Sequence, residues 1–421
     1  MKRILMRAGM PSWDNFNPYE VLTENLIGNN IGNMLFPYSI ARTLTLPKTK
    51  LDTIVPERVK TKEEIDLINK NYDVFVLPFA NAFRVSFIKQ LETTTEVIKK
   101  VNIPCVVTGV GMQKNIGQKT SNEKLDKAVK NFMIAVLNKS ALVGVRGEAT
   151  ADYLKGLGFI PEKEFTVIGC PSMYMHGKNL PKIESPILTP DSKVSLNSKI
   201  ALPQVFHNVL YRISKEYRNY HYVPQVIEEI ARMYAGVPYP KNFVKGTPKY
   251  FPMKASNAIY KNKKGLSFVN VPSWLSYLKE KDVSVGSRIH GNIAGILAGT
   301  PAFVIVSDMR ILELVEYHNI PHMLINDLKE TDTLETLMER ADFSRLQEGH
   351  EERFMHYLDF LKANRIDTIY DENGTETSCT FDEKIKDVQW EGPLYAYTSL
   401  SMGEQVKRIE QFMGRYRYGK R

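Results

Sequence analysis

The stretch Val283-Ser284-Val285-Gly286-Ser287-Arg288-Ile289-His290-Gly291-Asn292-Ile293-Ala294-Gly295-Ile296-Leu297-Ala298-Gly299-Thr300-Pro301-Ala302-Phe303-Val304-Ile305-Val306 reads as strand, turn, small-residue helix and a second buried strand. It is a βαβ unit, and such units build parallel sheets. In an open α/β sheet, ligands bind in the crevice outside the carboxyl ends of the strands, so Arg288 and His290 stand where chemistry would be placed. A helix starting at about Gly291 would bring the partial positive charge of its N-terminus to the same spot, with Gly291 and Asn292 beside the ligand. A guanidinium, an imidazole and a helix N-terminus together suit an anionic substrate.

The rest of the chain repeats this alternation. Residues 2–8 resemble a first strand, and Asn30 to Arg42 carries apolar residues at Ile31, Met34, Leu35, Tyr38 and Ala41, the spacing of one helical face. Asp73–Leu77 and Cys105–Thr108 are short β-rich runs, with a helical pattern from Phe87 to Val101 between them. Ala141–Val145 and Thr166–Ile168 continue the strands, separated by a helix over Ala149–Leu157. From Lys178 to Lys199 the composition turns to Pro, Ser and Lys without periodicity, which predicts a linker. A second set follows: strand Lys199–Leu202, helix Val223–Tyr234, strand Leu266–Val269, then the βαβ unit; helices are expected over Phe343–Asn364 and Gln405–Met413. The expectation is an α/β protein with two Rossmann-like domains facing across a cleft, residues 1–180 and 181–375, and a helical and basic tail over 376–421.

Length supports two domains, since 421 residues exceed what one core ordinarily organises. Hydrophobic residues make up 43% and charged residues 24%, the balance of a folded water-soluble protein. The net charge of +9 comes from 56 basic residues dispersed among 47 acidic ones, which argues against a dedicated nucleic-acid binder. The clearest cluster is the tail Gly414-Arg415-Tyr416-Arg417-Tyr418-Gly419-Lys420-Arg421, either a solvated terminus or a contact to anionic lipid. Three cysteines, Cys105, Cys170 and Cys379, show no disulfide or zinc spacing, and Arg7 interrupts any leader-like apolar run. These features predict a cytoplasmic protein, peripheral to the inner face of the membrane if the tail adheres.

Arg146 directly follows Ala141–Val145 and so matches, in the first half, the strand-end position of Arg288; its alternative is a salt bridge to Glu148. Arg310 follows Ala302–Val306 by four residues, either at the crevice or as a plain residue at the start of a helix over Ile311–Tyr317. Three arginines at three strand ends could hold a ligand bearing both phosphate and carboxylate, each guanidinium being a bidentate fork. His290 can exchange a proton near neutrality. No His, Asp or Glu spacing implies a metal, and neither a nucleophile elbow nor a phosphate-binding loop occurs. The run Tyr217–Tyr222 could stack on sugars or bases, or simply pack.

Gly286–Ala294 with Ala298-Gly299-Thr300-Pro301, Val143–Glu148 with Tyr153–Gly158, and Val167-Ile168-Gly169-Cys170-Pro171 resemble the polysaccharide pyruvyl transferase family over residues 28–325. The resemblance implies a GT-B-like fold and transfer of the enolpyruvyl carbons of phosphoenolpyruvate to two saccharide hydroxyls as a cyclic ketal, in cell-surface or exopolysaccharide synthesis. It makes the first domain the acceptor side and the second the donor side. It also implies donor binding or catalysis by Arg146, Arg288 and His290, with Arg310 where a basic residue, often lysine, is similar. No cofactor is implied; the partners are phosphoenolpyruvate and a saccharide, free or lipid-linked. Two departures stand out: Leu77-Pro78-Phe79-Ala80-Asn81 lacks expected glycines, and Cys170 stands where an aspartate is common. Two other readings remain: a nucleotide-sugar glycosyltransferase of the same architecture, for which Glu313 or Glu316 would read the nucleoside, and a non-catalytic carbohydrate- or nucleic-acid-binding protein.

Overall fold

Side-chain alternation in the first strand sets the layers. Leu5 points into one apolar cluster with Phe75 and Leu77, while Ile4 and Met6 point into another with Val74 and Val76. That two-residue period is what a strand buried on both faces requires. The computed structural model describes residues 2–113, 122–240 and 248–413.

The first half contributes β1 (Lys2–Arg7), β2 (Thr49–Ile54), β3 (Val74–Pro78), β4 (Cys105–Thr108), β5 (Val143–Val145) and β6 (Phe165–Val167). The first four form a parallel sheet in the order β2-β1-β3-β4, and a parallel bridge from Val110 to Val145 carries it on to the β5-β6 pair. The second half contributes β7 (Lys193–Asn197), β8 (Asn219–Tyr222), β9 (Leu266–Ser267), β10 (Val283–Gly286), β11 (Ala302–Val306) and β12 (His322–Leu324), then β13 (Leu394–Tyr395). Five of these make a parallel sheet, β12-β11-β10-β7-β8, while β9 pairs antiparallel with β13. The fold is thus α/β, with two Rossmann-like halves facing across a cleft. Both sheets follow a doubly wound order whose direction reverses once, between β1 and β3 and between β7 and β10, and such switch points open crevices for ligands.

After the second sheet the chain returns to the first. The helix His350–Ala363 ends at Asn364, whose Oδ1 accepts from the N–H groups of Ala141 and Leu142 just before β5. Lys2 Nζ then donates to Arg365 O at 2.8 Å, and Ile369 N–H to Thr43 O at 2.9 Å.

Several expectations need correction. The linker ends early: Lys193–Asn197 is a central strand, and no strand forms over Lys199–Leu202. Ser195 and Asn197 disguise it, because both are polar yet buried, Asn197 in the service of the neighbouring turn. The helix behind Arg288 spans Ile289–Leu297 with Arg288 as its N-cap residue, so Gly291 lies inside it rather than at its start. The run Tyr217–Tyr222 contains the edge strand β8, with Tyr222 buried. Thr49–Ile54 is a further strand, without a counterpart in the sequence reading, and the loop lacking glycines therefore follows the third strand in chain order. The basic cluster 414–421 lies outside the described residues. Among the described residues no helix is long and apolar enough to cross a membrane.

Candidate active site

Strand ends from both sheets converge on the cleft. At the end of β5, Arg146 N–H donates to Val110 O at 3.0 Å and its Nε to Gly109 O at 2.8 Å. The residue is fully buried, and neither terminal nitrogen has a hydrogen-bond partner among the described residues. No pair with Glu148 forms. Burial lowers its pKa, and its two terminal nitrogens are donors open to a ligand or to water.

The β10 turn is built around Gly286. Its φ of +151° suits glycine, and a Cβ there would stand 1.8 Å from Asn197 O. Asn197 Oδ1 accepts from Arg288 N–H at 2.7 Å, and Arg288 Nε donates to Ser198 O at 2.8 Å. Arg288 Nη2 lies 3.4 Å from Glu229, whose carboxyl is pushed up to about 7 because burial outweighs the pull of Arg288. Asn292, expected at the ligand, is wholly engaged instead. Its Oδ1 accepts from Ser284 Oγ and Asn197 Nδ2, and its Nδ2 donates to the carbonyls of Gly286 and Arg288. It therefore supports the turn. Gly291 likewise makes room, since a Cβ there would meet Gln225 Nε2 at 2.1 Å.

His290 points away from Arg288, across to the first half. Its Nε2 is 3.6 Å from Cys170 Sγ, its ring is 5.9 Å from that of Phe36, and a Cβ on Gly32 would touch its Cβ at 2.8 Å. Burial holds its pKa well below the usual imidazole range, and the charges of Arg146 and Arg310 lower it further, so the ring is neutral at pH 7. Cys170, in the place of the expected aspartate, thus lies against the imidazole.

Arg310, near the start of the helix Met309–Tyr317, contacts Asp308 through Nε at 3.3 Å. Asp308 also accepts from Lys199 Nζ at 2.8 Å, and Lys199 donates to Ser307 Oγ at 2.7 Å. Arg310 and Lys199 hold the Asp308 carboxyl well below its usual range against the effect of burial. Burial, then the charge of Arg310, pushes Lys199 down to about 8. Lys199 carries no signal in the sequence, where it reads as the first residue of a strand; the structure places it at the second sheet's switch point, beside Asp308 and Arg310. Arg84, after β3, was missed as well, and it too feels the charge of Arg310.

A cavity of about 720 Å³ opens at the first sheet's switch point, lined among others by Arg7, Asn33, Phe36, Asn81, Arg84 and Trp390. Phe36, in its lining, packs against the His290 ring. Among the described residues no group of three or more His, Cys, Asp or Glu is placed to hold a metal ion.

The family model for polysaccharide pyruvyl transferases matches residues 30–309, more than half of the chain. The chain belongs to the polysaccharide pyruvyl transferase family. No curated protein matches it significantly. Among solved structures, this pyruvyl transferase family member is similar to a functionally uncharacterized protein of Klebsiella pneumoniae at 13% identity, covering 79% of this chain and 92% of that one, with a TM-score of 0.40. It is similar to the UDP-GlcNAc 2-epimerase of Methanocaldococcus jannaschii in complex with UDP-GlcNAc and UDP at 11% identity, with 86% and 99% covered and a TM-score of 0.43. The UDP-GlcNAc 2-epimerase of Neisseria meningitidis bound to UDP-GlcNAc gives 10% identity, 92% and 100% covered, and a TM-score of 0.38.

Proposed function

We propose that this protein transfers the enolpyruvyl carbons of phosphoenolpyruvate to two hydroxyls of a saccharide, forming a cyclic pyruvate ketal, in cell-surface or exopolysaccharide biosynthesis. The observation that carries this reading is the buried, idle fork of Arg146, in a cluster with Arg310, Lys199 and His290. Such a cluster needs a multiply charged anion to balance it, and phosphoenolpyruvate brings phosphate and carboxylate on adjacent groups. The amide- and aromatic-lined cavity, whose Phe36 packs against His290, suits a saccharide.

The protonation states divide the chemistry. His290 is neutral, so it serves as base and takes the proton of the attacking hydroxyl. Lys199 is protonated at pH 7 yet easily gives its proton up, which suits it to protonate the methylene carbon. The double bond becomes a methyl group, the first C–O bond forms at the central carbon, phosphate leaves and the second hydroxyl closes the ketal. The two hydroxyl protons end on the methyl group and on the departing phosphate, returned through Lys199 and His290. The arginines stabilise the phosphate as its bond breaks.

The glycosyltransferase reading loses its carboxylate. Glu313 is buried and bonded to Thr150, and Glu316 is exposed on the same helix. The test is a thermal-shift titration with phosphoenolpyruvate beside UDP- and GDP-sugars, since a ligand of the folded state raises its stability. Stabilisation by phosphoenolpyruvate that Arg288→Ala weakens supports the proposal. A response to a sugar nucleotide alone overturns it.

A further inference from the structure

Arg84 stands in the first half, in the loop after β3, and lines the 720 Å³ cavity. Its backbone N–H donates to Ala82 O at 2.9 Å, but its guanidinium has neither ion pair nor hydrogen bond among the described residues, and Nε is buried without a partner. Its Cζ lies over the Phe87 ring, 5.3 Å from the centroid, a cation–π contact. Its neighbour Phe83 donates its N–H to Gly111 O at 3.1 Å, and a Cβ on Gly111 would stand 2.8 Å from Arg146 Cδ and 3.1 Å from Oε1 of Glu313, one turn along the helix from Arg310, so the loop of Arg84 lies against the other two arginines' supports. The charge of Arg310, from the opposite sheet, acts on both Arg84 and Arg146. Three guanidiniums from two halves therefore share one region. Asp308 touches only one of them, Arg310. Like charges held together in a partly dry site repel unless an anion sits among them.

We propose that Arg84 is a third arm of the phosphate site, supplied by the acceptor half, and that the phosphate of the donor sits among Arg84, Arg146 and Arg310. This rests on the donor assignment above and adds to it a residue from the other side of the cleft. Because Arg84 also lines the saccharide cavity, the group that grips the leaving phosphate borders the attacking hydroxyls. Placing the phosphate there orients the carbon it is bonded to toward the acceptor.

The test is calorimetric titration of the full-length protein and of Arg84→Gln with phosphoenolpyruvate, inorganic phosphate and pyruvate. Gln keeps the stem and removes the charge. The expected result is a loss of tenfold or more in affinity for phosphoenolpyruvate and for phosphate, pyruvate being unaffected because it has no phosphate. Arg84→Lys should recover part of the loss. Equal phosphoenolpyruvate affinity in Arg84→Gln and the parent overturns the inference while leaving the donor assignment intact; no binding of phosphoenolpyruvate to the parent overturns both. The thermal midpoint of ligand-free Arg84→Gln should equal or exceed that of the parent, because a repulsion has been removed. A lower midpoint together with weakened pyruvate binding would assign Arg84 to the fold instead.

Discussion

Glu313 in the second half accepts twice from Thr150 in the first, from the backbone N–H at 3.0 Å and from the hydroxyl at 2.9 Å. Thr150 lies in the first turn of the helix Glu148–Gly156, whose N-cap residue is Gly147 and has no side chain to cap it. The cap comes from across the cleft instead, a carboxylate at a helix N-terminus. Gly147 allows the approach, since a Cβ there would meet Glu313 Cβ at 2.7 Å. The same helix follows Arg146, so this contact fixes the two halves at the place where the cationic cluster forms.

Glu313→Gln should therefore change the pH dependence of stability. Burial raises the Glu313 carboxyl from 4.5 to about 7, more than the bonds from Thr150 and the charges of Arg146 and Arg310 lower it. A carboxyl raised on folding stabilises fully below its unfolded value and loses that contribution as pH rises through its folded value. Between pH 5 and 8 the variant should gain on the parent by up to ~3 kcal/mol, with little difference in trend below pH 4.5. Denaturant melts of both proteins across that range measure it; parallel curves would show that the carboxyl is not perturbed.

Gly286→Ala should prevent folding of the second half or cost more than about 3 kcal/mol. The added carbon would collide with a backbone oxygen, Asn197 O, and not with a movable side chain, at a φ of +151°. Circular dichroism melts of the purified variant decide this. A midpoint within a degree or two of the parent would mean the β7–β10 junction opens easily.

The βαβ unit was legible because its strands, Val283–Gly286 and Ala302–Val306, are buried and apolar but for Ser284, and its helix is rich in small and apolar residues. β7 was not, because Ser195 and Asn197 are polar for a tertiary reason: Asn197 holds the Arg288 turn in the next strand over. The arginines at strand ends could be read from position alone. What they face could not, since Arg288 turns to Glu229 in its own half whereas His290 crosses to Cys170. Lys199 and Arg84 left no local signal; only the pairing of β7 with β10, and the convergence of the two sheets, brings them near Arg310. Asn292 carried a misleading one, since a polar residue early in a helix behind a crevice looks like a ligand contact.

Asn292→Ala should act on stability first and on binding second. Four hydrogen bonds end on that amide, and its removal strands Ser284 Oγ and Asn197 Nδ2 in a buried place. The expected cost is about 2–4 kcal/mol. Phosphoenolpyruvate affinity should fall only as far as the Arg288 turn loosens, so calorimetry below the melting range should give a smaller loss than Arg288→Ala. A full loss of affinity in a stable variant would return Asn292 to the ligand.

Arg146→Met should separate stability from function. The guanidinium is wholly buried, and among the described residues only its Nε has a partner, Gly109 O. That bond is worth about 1–3 kcal/mol, whereas an uncompensated buried ion costs several. Methionine fills most of the same volume without the charge. The ligand-free variant should therefore melt at the same temperature as the parent or higher, while the stabilisation given by phosphoenolpyruvate disappears. Removing the charge should also relieve His290, whose pKa is lowered by burial and then by Arg146, so the imidazole should titrate closer to its usual range. Thermal shift and nuclear magnetic resonance titration of the His290 ring measure the two effects independently. A variant that melts lower and still binds phosphoenolpyruvate would make Arg146 a structural residue, and the cluster would then need another anchor for its anion.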